Sequence, residues 1–168
     1  MAARAGPVNV LFLCTHNSAR SILAEAVLNH IGGGRFRAYS AGSSPRPNQQ
    51  PNPLGLAALA EAGIPTAGLC SKSWHAFAGP QAPAMDLVIT VCDSAAGETC
   101  PVWPGHPATA HWGYADPSAG AAPDAVKLAA FRRTLAAIRE RLERLCALPE
   151  EQLRPDVLQA TARRLATA

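Results

Sequence analysis

Cys14 and Arg20 enclose Thr15-His16-Asn17-Ser18-Ala19, all small or polar, and Ser21 comes directly after. That spacing suits a loop wrapped around a tetrahedral oxyanion. The backbone N–H groups of such a loop point inward, and a helix starting behind it adds the positive end of its dipole. The same field is expected to lower the pKa of a thiol at the loop's start, so Cys14 reads as a thiolate nucleophile. Arg20 supplies a planar fork of donors for the anion, and Ser21 is placed to hydrogen-bond the Cys14 sulfur. The plain alternative is a buried cysteine at a strand end beside an exposed helix arginine. The chemistry indicated is attack on a bound oxyanion. The loop alone identifies neither the anion nor the step after the attack.

Such a loop needs a strand before it and a helix behind it. Residues 8–13 are a nearly continuous apolar run, which predicts a buried parallel strand. In the next helix Asn17 or Ser18 can cap, Ile22, Leu23, Ala26, Val27 and Ile31 form one apolar face, and Gly32-Gly33-Gly34 ends it. Residues 36–40 read as a second strand, the proline-rich stretch 44–53 as a loop, and 54–62 as a helix stopped by Gly63. A short extended segment is expected at 66–69 and a short helix at 73–77. The β-branched run 86–91 predicts a third strand, 92–99 a helix ahead of Pro101, and 108–112 a fourth, weaker strand. Phe131, Leu135, Ile138, Leu142 and Leu145 step by four and three through a long amphipathic helix over 124–145. Residues 155–165 predict a last helix with proline at its first position.

This alternation predicts a single-domain α/β fold: a four-stranded parallel sheet with helices on both faces. In such sheets ligands bind beyond the carboxyl ends of the strands. Cys14, Cys92 and the Tyr114-Ala115-Asp116-Pro117 turn all come after strands, so all three are expected on one edge.

Composition narrows the class. With 48% hydrophobic and 16% charged residues, the 168-residue chain is globular rather than disordered. A net charge of +3 is too mild to indicate nucleic acid or membrane partners, and it does not repel an anion. The apolar runs fall far short of the ~20 residues of a membrane span. Residues 1–7 carry one arginine and no apolar stretch, so a cytosolic protein is expected. The odd count of 5 cysteines argues against a disulfide framework. Cys70 and Cys146 read as bystanders. Zinc held by Cys92, Cys100, His106 and His111 would fit no standard spacing, so no metal is expected.

The Cys14–Ser21 loop after a first strand resembles that of the low-molecular-weight protein tyrosine phosphatases. With Cys92 and Cys100, the chain is similar to the arsenate reductases built on that phosphatase fold. Tyr39-Ser40-Ala41-Gly42, His111-Trp112-Gly113 and Asp116-Pro117 match the same pattern. The resemblance spans residues 8–145. It implies a flavodoxin-like strand order, a catalytic domain over 8–148, a flexible N-terminus at 1–7 and a C-terminal helical extension at 149–168.

It also implies a mechanism. Cys14 attacks arsenate, held by the loop residues Thr15, His16, Asn17, Ser18, Ala19 and Arg20, and Asp116 protonates the leaving oxygen. Phosphate or sulfate would mimic the substrate. A thiol corresponding to Cys92 then attacks the Cys14–arsenic adduct, arsenite leaves, and Cys100 resolves the Cys14–Cys92 disulfide. No bound cofactor is implied; the electrons come from an external thiol reductant, thioredoxin or glutathione with glutaredoxin. If 92–100 begins as a helix, the two Cα atoms lie roughly 12 Å apart, whereas a disulfide needs them within about 7 Å. The helix must therefore unwind on oxidation, and Gly97 and Pro101 weaken it.

Several positions depart from the family pattern. His16 stands where these loops have glycine, a position that a positive φ would strain. Ala19 replaces a second loop cysteine, and Cys92 and Cys100 are one residue farther apart than in thioredoxin-linked members. Ser71-Lys72-Ser73 replaces the Thr-x-Asp of potassium-binding members, although Asn17 and Ser40 match part of that site. The competing reading is hydrolysis of a phosphate monoester such as phosphotyrosine, with water in the second step. Two features favour the reductase: a phosphatase has no use for Cys92 and Cys100, and Ser118 stands after Asp116-Pro117 where phosphatases have tyrosine. An oxyanion-binding or sensor module would make Cys14, Arg20 and Asp116 superfluous together.

Overall fold

Four short strands rich in apolar residues set the frame. The computed structural model describes residues 6–92 and 107–167. Its elements are β1 (Val8–Cys14), α1 (Arg20–Ile31), β2 (Phe36–Gly42), α2 (Pro53–Glu61), a 3-10 turn at Trp74–Phe77, β3 (Leu87–Thr90), β4 (Ala108–His111), α3 (Asp124–Cys146), a 3-10 turn at Glu150–Gln152 and α4 (Pro155–Leu165). The expected helix at 92–99, Cys100 and His106 lie outside the described residues, apart from Cys92 itself.

The strands form one parallel sheet in the order β2-β1-β3-β4. The register brings their carboxyl ends level: Cys14 beside Gly42, Leu13 beside Thr90, and Thr90 beside His111. β1 is buried on both faces, which is why its sequence is continuously apolar. Val8, Val10, Phe12 and Cys14 join a core shared with all four α-helices, while Leu11 and Leu13 face Trp74, Phe77, Met85 and Val88. Among the described residues, the α-helices therefore cover one face and the 3-10 turn at Trp74–Phe77 covers the other.

α3 buries Phe131, Leu135, Ile138, Leu142 and Leu145, the residues whose spacing predicts it. α4 inserts Leu158, Ala162 and Leu165 into the same core. The indole Nε1 of Trp112 donates to Ala162 O at 2.8 Å. The C-terminal segment thus packs as part of the domain. Each outer strand also receives side-chain hydrogen bonds. Asn29 of α1 bonds both backbone groups of Ala38 in β2, at 2.8 and 3.1 Å. In β4, Thr109 N–H donates to Gln159 Oε1 at 3.1 Å, and Arg163 Nε donates to Thr109 O at 2.9 Å.

Two local expectations are corrected. Residues 66–69 form a turn, with Gly68 at φ +83°, rather than an extended segment. Neither Asn17 nor Ser18 caps α1: its N-cap is Ala19, with no side-chain cap bond. The Asn17 side chain turns inward to other partners instead. Among the described residues no helix is long and apolar enough to cross a membrane.

Candidate active site

The loop between β1 and α1 is held from below by backbone contacts. Ser43 N–H donates to Cys14 O at 3.0 Å, Ser44 N–H to Thr15 O at 2.8 Å, and Asn52 N–H to Ser18 O at 2.8 Å. Gly42 lies directly under it. A Cβ on Gly42 would stand 2.6 Å from Thr15 O and 2.9 Å from the His16 carbonyl carbon, so the loop's path requires glycine there. The one left-handed residue of the loop is Asn17, at φ 57°, and not His16. Asparagine tolerates that region, so the strain expected at His16 does not arise.

Asn17 is buried and acts as the loop's internal brace. Its Oδ1 accepts from Lys72 N–H at 2.9 Å, and its Nδ2 donates to Ser21 Oγ at 2.8 Å and to Ser40 Oγ at 2.9 Å. Ser71 Oγ donates to Asn17 O at 2.6 Å. The uncapped start of α1 leaves its first-turn N–H groups for an anion.

Cys14 is 3% exposed. Its Sγ lies 2.8 Å from Ser21 Oγ and 3.2 Å from the donating Asn17 N–H. Burial pushes the thiol up from its ordinary value and a charge on Cys92 adds to that, while Ser21 and the Asn17 N–H pull it down; the net direction is upward. The expectation of a lowered pKa is therefore corrected: desolvation of the sulfur outweighs its hydrogen bonds. Toward a thiolate Ser21 can only donate, so its bond favours the charged form. Ser21→Ala should raise the Cys14 alkylation midpoint by about one unit, a loss near the low end for a hydrogen bond to a charged group. Iodoacetamide labelling of the Cys14 peptide across pH checks this.

Arg20 is anchored and leaves one edge open. Its Nη1 donates to Tyr114 O at 2.8 Å, while its Nε is buried with no hydrogen-bond partner among the described residues. The free Nε–Nη2 edge is the one that suits a bidentate oxyanion. Arg20 Nη2 lies 3.9 Å from Asp116 Oδ2, so the loop arginine and the Asp-Pro turn meet as expected. The Arg141 guanidinium, 5.0 Å from the Tyr114 ring centre, packs that turn from behind. Ser118 donates to Asp116 Oδ1 through N–H at 2.9 Å and Oγ at 2.7 Å. Burial would raise the Asp116 carboxyl, but the Ser118 bonds and the charges of Arg20 and His16 outweigh it and hold the carboxyl below its usual range.

Cys92 comes after β3 and is buried, with Sγ 3.6 Å from Thr15 Oγ1. It therefore stands at the same loop as Cys14, and both are free thiols. Cys146 is a poor nucleophile: burial pushes its thiol up to about 11. Cys70 is an exposed free thiol. Among the described residues no group of His, Cys, Asp and Glu could hold a metal ion. Nor do the residues present fit a bound potassium ion beside Asn17. Lys72 Nζ already lies on Ser40 O at 3.0 Å and Cys70 O at 2.8 Å, supplying a positive charge there.

Sequence reasoning missed Glu25, which accepts from Ser40 Oγ, and the partnership of Lys72 with Ser40 and Asn17. Gly42 shows in the sequence only through its family pattern. The parallel bridge between Gly42 and Ser73 brings these distant segments together.

Over most of its length the chain is similar to known proteins. An arsenate reductase of Bacillus licheniformis is 36% identical over 141 residues, covering 84% of this chain and 96% of that one. The solved structure of an arsenate reductase in the phosphate binding state superposes with a TM-score of 0.65 at 28% identity, covering 83% of this chain and 97% of that chain. A thioredoxin-dependent arsenate reductase of Corynebacterium glutamicum gives a TM-score of 0.54 at 27% identity, covering 83% and 64% of the two chains. The family model for low molecular weight phosphotyrosine protein phosphatase matches residues 9–158, from β1 through the Asp116 turn and into α4, and the chain belongs to that family.

Proposed function

We propose that this protein is an arsenate reductase that converts arsenate to arsenite by a thiol relay. The observation that carries the reading is the approach of Cys92 to the loop, its Sγ 3.6 Å from Thr15 Oγ1. Cys14 attacks the arsenic of a bound arsenate, with the loop N–H groups and the open edge of Arg20 on its oxygens. The thiol proton passes to an oxygen of the bound arsenate as the S–As bond forms, so the negative charge never rests on the buried sulfur alone. Asp116 protonates the departing oxygen, which leaves as water. Cys92 then attacks the Cys14 sulfur. A disulfide forms, the S–As bond breaks, and its electron pair stays on arsenic, which is thereby reduced by two electrons. Cys100 attacks Cys92, frees Cys14, and leaves a Cys92–Cys100 disulfide for an external reductant. A thioredoxin-type protein fits that step, as the Corynebacterium relative is thioredoxin-dependent. The four described cysteines are free thiols, which suits a reducing cytosol.

Asp116 must carry a proton to act as an acid, yet Ser118 and the charge of Arg20 hold its carboxyl below the usual range. A bound dianion reverses this. It takes up the charge of Arg20 and repels a second negative charge, so the carboxyl is pushed up as substrate enters. Asp116→Asn should lower kcat by about 10² to 10⁴-fold with little change in KM, as expected of a general acid. Steady-state kinetics check this, and an unchanged kcat would remove Asp116 from the role.

The relay is tested by assaying wild type, Cys92→Ser and Cys100→Ser for arsenate-dependent oxidation of thioredoxin and for aryl-phosphate hydrolysis. Both variants should lose multiple turnover with arsenate while any aryl-phosphate hydrolysis stays at the wild-type rate. Full arsenate turnover in either variant would refute the relay. Phosphotyrosine hydrolysis without arsenate turnover would make the protein a phosphatase, since the loop and Asp116 suffice for that chemistry.

A further inference from the structure

Residues 113–115 carry the carbonyl that holds Arg20, yet among the described residues they make no backbone–backbone hydrogen bond of their own. Before them Trp112 N–H donates to Thr90 O at 2.8 Å, and after them Ala119 N–H donates to Asp116 O at 3.3 Å. The place of the Tyr114 carbonyl is therefore set by what the Tyr114 side chain packs on. Its ring is partly buried against the main core, and the Arg141 guanidinium of α3 lies over it, 5.0 Å from its centre. The same guanidinium lies 5.9 Å from the centre of the Trp112 ring, and its Nη2 donates to Ala166 O at 3.3 Å. Arg141 thus ties the end of α4 to the two aromatic residues on either side of Gly113.

Arginine is a costly way to fill this space. Its Nη1 is buried with no hydrogen-bond partner among the described residues, and a desolvated donor left unmade is destabilising. A well-packed apolar side chain would serve stability better. What the guanidinium supplies is a cationic face for two rings together with a bond to a third element. The carbonyl held in this way decides what Arg20 can do. With Nη1 on Tyr114 O at 2.8 Å, Nη2 stays 3.9 Å from Asp116 Oδ2, beyond hydrogen-bond length. Released from Tyr114, Arg20 would turn onto Asp116 and close the edge that suits the oxyanion.

We propose that Arg141 is a positioning residue for Arg20: through Tyr114 it holds the carbonyl against Nη1 and keeps the Nε–Nη2 edge open. Its anchor, Ala166, lies beyond the residues 9–158 that the family model matches, so the last turn of the chain takes part in shaping the site. The proposal rests on the loop binding an oxyanion and not on arsenate being reduced.

NMR of the Arg20 Nε–H reads the result directly, the signal being assigned by its loss in Arg20→Lys. In wild type it should be as rigid as the backbone. In Arg141→Ala it should shift and lose that rigidity. Affinity for inorganic phosphate, by calorimetry, should fall about three- to tenfold, the cost of ordering one long side chain on binding. Tyr114→Ala keeps the carbonyl, removes the ring and should do the same. The double variant should bind phosphate no more weakly than Tyr114→Ala alone, because Arg141 acts through that residue; two separate packing roles would multiply the losses. An unmoved Arg20 signal in Arg141→Ala, or multiplied losses in the double variant, overturns the proposal. Should Arg141→Ala not fold, Arg141→Lys decides. It keeps the charge and the stem but not the planar group, so the Arg20 signal should still loosen, and a wild-type signal overturns the proposal. Absence of phosphate binding by wild type would refute the oxyanion reading, and the Arg20 signal would still decide the role of Arg141.

Discussion

Cys14→Ser should abolish arsenate reduction, with kcat lowered by at least about 10⁴-fold. Two separate losses add up. A serine hydroxyl is a far weaker nucleophile than a thiol or thiolate at neutral pH. It also cannot form the disulfide that supplies electrons to arsenic, so even a slow arsenate ester would have no path to arsenite. Anion binding should survive, because the loop backbone, the start of α1 and the free edge of Arg20 are untouched. Calorimetric titration with phosphate should give an affinity within a few-fold of wild type. Arsenite release by the serine variant, above the uncatalysed rate, would show that the chemistry starts at another thiol.

Gly42→Ala should be nearly as damaging, although Gly42 touches no reacting atom. The added methyl group would sit 2.6 Å from Thr15 O, 2.9 Å from the His16 carbonyl carbon and 3.0 Å from Asn17 N. All three are backbone atoms, so no flexible side-chain end can move aside. The loop itself must shift. A displacement approaching 1 Å in a catalytic array costs about 10²-fold in rate, and kcat/KM for arsenate should fall by that order. The fold should persist, since Gly42 is the last residue of β2. Overpacking of about 1–3 kcal/mol corresponds to a Tm loss of several degrees. Wild-type turnover with an unchanged Tm would mean that the loop is far softer than its contacts indicate.

The parts of this fold that are legible in the sequence are those decided by local pattern. Burial on both faces makes β1 a continuous apolar run, and the step from Phe131 to Leu145 marks the buried side of α3. The meeting of Arg20 with Asp116 comes from topology, because both stand past the carboxyl ends of parallel strands. Hidden from the sequence is whatever depends on backbone approach between distant segments. Nothing local to Gly42 says that Thr15 O would lie 2.6 Å from its missing Cβ. Asparagine's tolerance of the left-handed region is local, but the bonds with Ser21, Ser40 and Lys72 that close around the Asn17 amide are not visible in the sequence. The loop's field alone points to a thiolate at Cys14, whereas the opposing cost comes from how deeply the sulfur is buried.

The side-chain bonds on Ala38 and Thr109 bear on how this protein meets others. These residues belong to the two outermost strands, whose outward-facing peptide groups would otherwise be open templates for another chain. Asn29 on one side, and Gln159 with Arg163 on the other, occupy those groups at the middle of each strand. Strand addition is thereby blocked at both margins, against self-association and against visiting proteins alike. On the relay proposed above, a protein reductant would therefore meet the molecule away from these margins, at the strand-end rim that carries Cys14 and Cys92.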